Sequence, residues 1–89
     1  MAESRTYEVR LLVTARRQLL RVPARIRSRV GNAIRALASD PRPPGCKKLA
    51  GSSDYYRIRV SDYRVLYEVR DRDVLVLVIK IGHRREVYR

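Results

Sequence analysis

Only one cysteine, Cys46, occurs in the 89 residues, so no internal disulfide can form. Together with the single histidine, His83, it falls short of the four ligands of a structural zinc site. A reducing, cytoplasmic setting is expected, and neither a metal nor a cofactor is called for. No apolar run approaches the roughly 18 residues that span a bilayer, and the N-terminus lacks the apolar core of a signal peptide, so export is not expected. Internal repeats and low-complexity tracts are also missing. Acidic side chains are scarce: nine Asp and Glu stand against 21 Lys and Arg, a formal net charge of +12. Between Glu8 and Asp40 there are none, while Arg10, Arg16, Arg17, Arg21, Arg25, Arg27, Arg29 and Arg35 all fall in that interval. Such one-sided charge favours a polyanionic partner, either nucleic acid or an acidic protein.

A chain of this length cannot bury two separate cores, which predicts one domain over residues 1–89 and excludes a separate lid or cofactor domain. Its 45% hydrophobic content is enough to offset the chain entropy lost on folding. From Thr6 to Val13 the residues Tyr7, Val9, Leu11 and Val13 alternate with Glu8 and Arg10 as in a half-buried strand, with Leu12 the exception. Thr14 is placed to cap a short helix to about Leu20, with Leu19 and Leu20 turned inward. Pro23 suits the first turn of a second helix, in which Ile26, Val30, Ile34 and Leu37 recur at helical spacing until Pro41. Gly31 weakens that helix by roughly 1 kcal/mol relative to Ala unless close packing needs the missing side chain. Pro41 to Gly45 is a loop, and three strands follow: Tyr55 to Val60, Tyr63 to Arg70 and Val74 to Ile81. The last is apolar at every position from Val74 to Ile79, the pattern of a strand covered on both faces at mid-sheet.

Only Ser61 and Asp62 separate the two middle strands, and a two-residue loop sets Val60 opposite Tyr63 and Arg59 opposite Arg64. Tyr56, Ile58, Val60, Tyr63, Val65 and Tyr67 then share the face to be buried under the helices. Arg57, Arg59 and Arg64 share the other, in one small patch. Like charges so close repel, which points to an anion bound there; the alternative is a solvated outer face relieved by Glu68. The final strand leads to Gly82-His83-Arg84-Arg85-Glu86-Val87-Tyr88, a segment dense in functional groups.

In order and spacing, the initial strand, the helical hairpin, Lys47-Lys48-Leu49-Ala50-Gly51, Tyr56-Arg57-Ile58-Arg59-Val60, Tyr63-Arg64-Val65-Leu66-Tyr67-Glu68-Val69 and the ending Gly82 to Arg89 resemble the RelE family of the RelE/ParE superfamily, the toxins of type II toxin-antitoxin pairs. The resemblance spans nearly the whole chain. It implies an α+β fold, β-α-α-β-β-β, with a helical hairpin packed on one face of a small, mainly antiparallel sheet and RNA on the other. It also implies a ribosome-dependent, metal-independent mRNA endonuclease, in which a ribose 2'-hydroxyl attacks the adjacent phosphate to leave a 2',3'-cyclic phosphate. Carried across, the catalytic positions are Arg57, Arg59, Arg64, Arg84 and Tyr88; the hairpin register selects the first three independently. Well-studied members have lysine where Arg57 and Arg59 stand and a longer connection in place of Ser61-Asp62.

Arginine suits phosphate and transition-state binding, because its planar fork grips phosphate bidentately, but its pKa makes it a poor proton carrier. Tyr88 is then the base implied by the resemblance, and Arg84 stabilises the leaving oxygen. His83 has the intrinsic pKa best suited to proton transfer, and its role as acid or base stays open. Lys47, Lys48, Tyr55 and Arg85 are candidate RNA contacts, Tyr55 by stacking on a base. The partners implied are the ribosome, mRNA and a cognate antitoxin with an acidic segment. Two rival functions remain: a ParE-like inhibitor of DNA gyrase, and a non-catalytic RNA-binding module.

Overall fold

The computed structural model describes residues 6–51 and 54–84. Strand β1 (Glu8–Leu11) is followed by helices α1 (Val13–Arg21) and α2 (Ala24–Ala36). After the proline loop come β2 (Lys47–Lys48), β3 (Tyr55–Val60), β4 (Tyr63–Arg70), a 3-10 turn at Asp71–Asp73 and β5 (Leu75–His83). The five strands form one sheet in the order β1-β5-β4-β3-β2, in which β1 runs parallel to β5 and every other pair is antiparallel. This is the expected α+β arrangement with one addition, the two-residue edge strand β2.

Alternation along β1 turns Val9 and Leu11 toward the helices and Glu8 and Arg10 away. The strand stops two residues earlier than its pattern suggests. Leu12 is the extended residue that starts α1, and Val13 is helical and 67% exposed rather than on the sheet face. No side chain caps this helix, so Thr14 does not fill the role its type predicts. Of the neighbouring leucines, Leu19 packs on the core and Leu20 is 65% exposed, because adjacent helical residues lie about 100° apart and cannot both face inward. Pro23 sits just before the first turn of α2, and Val30, Ile34 and Leu37 are buried with Ile26 beside them. The helix ends at Ala36, short of Pro41, and the turn after it offers the Ala38 carbonyl to the Tyr7 amide at 2.8 Å.

Both helices cover one side of the sheet. Ala15, Val22, Val30, Ile34 and Leu37 meet Tyr56, Ile58, Val65, Tyr67, Val69, Val76, Val78 and Ile81 in a continuous core. The Tyr67 hydroxyl, within that core, donates to the Pro41 carbonyl at 2.7 Å and so ties the proline loop to β4. Strand β5 is not covered on both faces as its apolar run suggests. It lies between β1 and β4, and Leu75, Leu77 and Ile79 remain half-buried because no described helix packs on their side. Val74, expected to open the strand, instead closes the 3-10 turn in the left-handed region at φ 50°, a costly conformation for a β-branched residue.

One irregularity positions the candidate site. Leu66 pairs with Lys80 but Tyr67 pairs with Val78, so Ile79 is an extra residue in β5. Before the bulge Val76 and Val78 face the core; after it Ile81 does, and with it His83, while Lys80 and Gly82 turn to the side away from α1 and α2. Strand parity is thereby reset within three residues of the chain's functional segment.

Candidate nucleic-acid interface

The hairpin register is the one the sequence predicts: Val60 pairs with Tyr63, Arg59 with Arg64, Ile58 with Val65, Arg57 with Leu66 and Tyr56 with Tyr67. Arg57, Arg59 and Arg64 therefore project from the helix-free face, Arg59 and Arg64 directly across the ladder. On the far side of Arg64 the partner is Gly82, which adds no side chain, and the Arg84 amide donates to the Asp62 carbonyl at 2.8 Å. That bond holds Arg84 against the hairpin tip. Desolvation lowers the Arg64 pKa first, and the charges of Arg59 and Arg84 lower it further, with Asp62 acting in the opposite direction. Arg57 is pulled down likewise, by burial first and then by Arg59 and Arg64. Arg64 thus lies within electrostatic reach of Arg57, Arg59 and Arg84.

Arg57 departs from a simple surface patch in being only 8% exposed. Lys47 on β2 stands on one side of it and Leu66 on β4 on the other, so the edge strand adds a fifth cation. Its neighbour Lys48 pairs with Tyr56 and belongs to the helix side, which separates the two lysines that look equivalent in sequence. Tyr55 lies on the arginine face opposite Glu68, 41% exposed. Glu68 does not relieve the patch: it holds Arg70 at 3.2 Å, as Glu8 holds Arg10 at 2.6 Å. The carboxylates that strand alternation places on this face are thus committed to arginines outside the cluster.

His83 is on the other side of the sheet. It pairs with Tyr63 and meets that ring edge-on, with centroids 5.6 Å apart and planes at 82°. The bulge at Ile79 therefore separates the imidazole from the guanidiniums, while Arg84 joins them. Tyr88 and Arg85 lie outside the described residues. The sequence reading missed Arg42, which lies over the Tyr56 ring at 5.1 Å from its centroid, donates to the Tyr56 hydroxyl at 2.9 Å and pairs with Asp71 at 2.8 Å. The Tyr7 hydroxyl also donates to Asp71, at 2.6 Å. This network closes the opposite end of the sheet and only a tertiary contact reveals it. Among the described residues no group of three or more His, Cys, Asp or Glu is placed to hold a metal ion, and no helix is long and apolar enough to cross a membrane.

Residues 9–88 match the family described as the ParE toxin of the type II toxin-antitoxin system parDE. The chain is 34% identical over 87 residues to the toxin RelG of Mycobacterium tuberculosis, covering 93% of this chain and 97% of that protein. This chain belongs to the RelE/ParE superfamily of toxins. As a fold, the toxin superposes on the archaeal RelE-RelB complex from Pyrococcus horikoshii with a TM-score of 0.81 at 29% identity, over 92% of this chain and 99% of the other. It likewise superposes on the RelBE2 toxin-antitoxin complex from M. tuberculosis with a TM-score of 0.78 at 30% identity, over 97% and 100% of the two chains. The protein is accordingly a type II toxin of the RelE family, and several of the structures it resembles are toxins in complex with antitoxins.

Proposed function

We propose that this toxin is an mRNA endonuclease that acts on the ribosome and is neutralised by a cognate antitoxin bearing an acidic segment. One observation carries the reading: Arg57, Arg59, Arg64 and Arg84 lie together on the face of the sheet that neither α1 nor α2 covers. Such an arrangement binds one ribose-phosphate link from several directions and stabilises a dianionic transition state formed between the guanidiniums. Arg57, Arg59 and Arg64 hold the phosphate. Arg84, anchored to the hairpin tip, stabilises the leaving 5'-oxygen, and Tyr88, as the phenolate, takes the proton of the attacking 2'-hydroxyl. The new bond joins O2' to phosphorus, the bond from phosphorus to O5' breaks, and the proton passes to the leaving oxygen. Tyr55, Lys47 and Arg85 contact the flanking RNA, with Lys48 reaching it from the sheet edge. The charge for transition-state stabilisation comes from arginine, so no metal is invoked.

His83 is assigned no part in that proton transfer, since its ring faces Tyr63 across the sheet from Arg64. The family match to a ParE toxin keeps a second reading in play, inhibition of DNA gyrase without RNA cleavage. Incubation with translating ribosomes separates the two. Cuts at codon positions, with 2',3'-cyclic phosphate ends, are expected from the wild type and reduced about a hundredfold by Arg64→Ala or Tyr88→Phe. Gyrase-dependent DNA damage without such cuts would overturn the ribonuclease reading.

A further inference from the structure

On the helix side of the sheet, at the end that carries Arg64 and Arg84 on the other side, a cleft of about 370 Å³ opens between α1 and the end of β5. Its lining includes Gln18, Arg21, Tyr63, Lys80 and His83, and no carboxylate is among its described walls. It exists because β1 stops opposite Val78, leaving the rest of β5 without a strand on the edge away from β4. Gln18 occupies part of that gap, its side-chain oxygen accepting from the Ile81 amide at 2.8 Å. The volume lies within the roughly 300–1,000 Å³ of small-ligand sites. Two aromatic rings, one guanidinium, one ammonium and an amide are among its lining groups.

We infer that this cleft receives one unstacked nucleotide of the same RNA strand that crosses the arginine face, its base against Tyr63 and His83 and its phosphate on Arg21. The inference rests on the ribonuclease reading and adds a second subsite to it. Continuity is the main support. The Tyr63–His83 pair is one register step from the Arg64–Gly82 pair, so patch and cleft are the two sides of the same strand ends. Gly82 leaves the rim between them without a side chain. An RNA strand bent round this rim meets cations on both sides, and unpaired bases are held by aromatic faces irrespective of sequence.

The test uses mRNA carrying 5-iodouridine at one position at a time, bound to translating ribosomes with the full toxin. Crosslinks to Tyr63 or His83 are expected from a position next to one that crosslinks to the arginine face. Arg21→Ala and His83→Ala are expected to lose that crosslink and to raise KM for cleavage about tenfold with kcat unchanged. Crosslinks confined to the arginine face, with both variants cutting like wild type, would overturn the subsite and leave the ribonuclease intact. Loosened antitoxin binding in both variants with RNA measurements untouched would assign the cleft to protein and likewise overturn it. Wild type that neither crosslinks nor cuts would remove the ribonuclease reading and the subsite together.

Discussion

Arg57 is held where arginine is least comfortable, nearly buried, with Arg59 two residues away on the same face and Arg64 on the diagonal. Burial first, and then the charges of Arg59 and Arg64, pull its pKa below the ordinary arginine value. Arg57→Leu is expected to lower RNA cleavage at least about a hundredfold in a cleavage assay, with differential scanning fluorimetry confirming that the variant is folded. Tyr67 is fully buried and bonded to Pro41. Burial is the first cause of its raised pKa. A raised value means that the neutral phenol is favoured in the fold. Its contribution is fully present below the unfolded value near 10 and is lost as pH climbs through the folded one. Stability followed by urea titration should therefore fall on the alkaline side, and Tyr67→Phe should flatten that fall while costing about 1 kcal/mol at neutral pH.

Among elements, α2 contains a correctable weakness. A Cβ added at Gly31 would meet only the Arg35 guanidinium, at 3.6 Å, which is ordinary contact with a flexible side chain. Close packing does not need the glycine there, and Gly31→Ala is expected to stabilise the fold by about 1 kcal/mol, read as a higher urea midpoint with unchanged slope. The hairpin of β3 and β4 was legible from sequence because two alternating runs joined by Ser61-Asp62 admit one register that buries the apolar set. Three other features were not. Lys47–Lys48 have no alternation to betray a strand, and their pairing comes from Tyr56 and Arg57 across the edge. The exposed position of Leu20 depends on where α1 begins, which the missing cap leaves unmarked. Most consequential is the bulge at Ile79: a run apolar at every position carries no parity signal, so nothing in it says which way His83 and Arg84 point. The arginine patch on the hairpin could be read from residues alone, whereas the exclusion of His83 from it could not.

At the scale of the whole molecule the net charge of +12 governs encounter. Binding to single-stranded RNA should weaken linearly on a log-log plot against salt, with a slope of about −0.7 for each phosphate neutralised. Removing Arg64 should make the slope shallower by about that amount, measurable by anisotropy of a 2'-deoxy-blocked oligonucleotide. A slope unchanged by the substitution would mean that Arg64 touches no phosphate. The parallel pairing of β1 with β5 joins Glu8–Leu11 to residues 75–78, so the sheet cannot close until almost the whole of this chain is available. Pairing at such separation is slow relative to local helix formation. Until then β4 lacks the neighbour that brings Gly82 and Arg84 beside Arg64. A nascent copy therefore carries an incomplete arginine cluster until residues 75–84 have been synthesised.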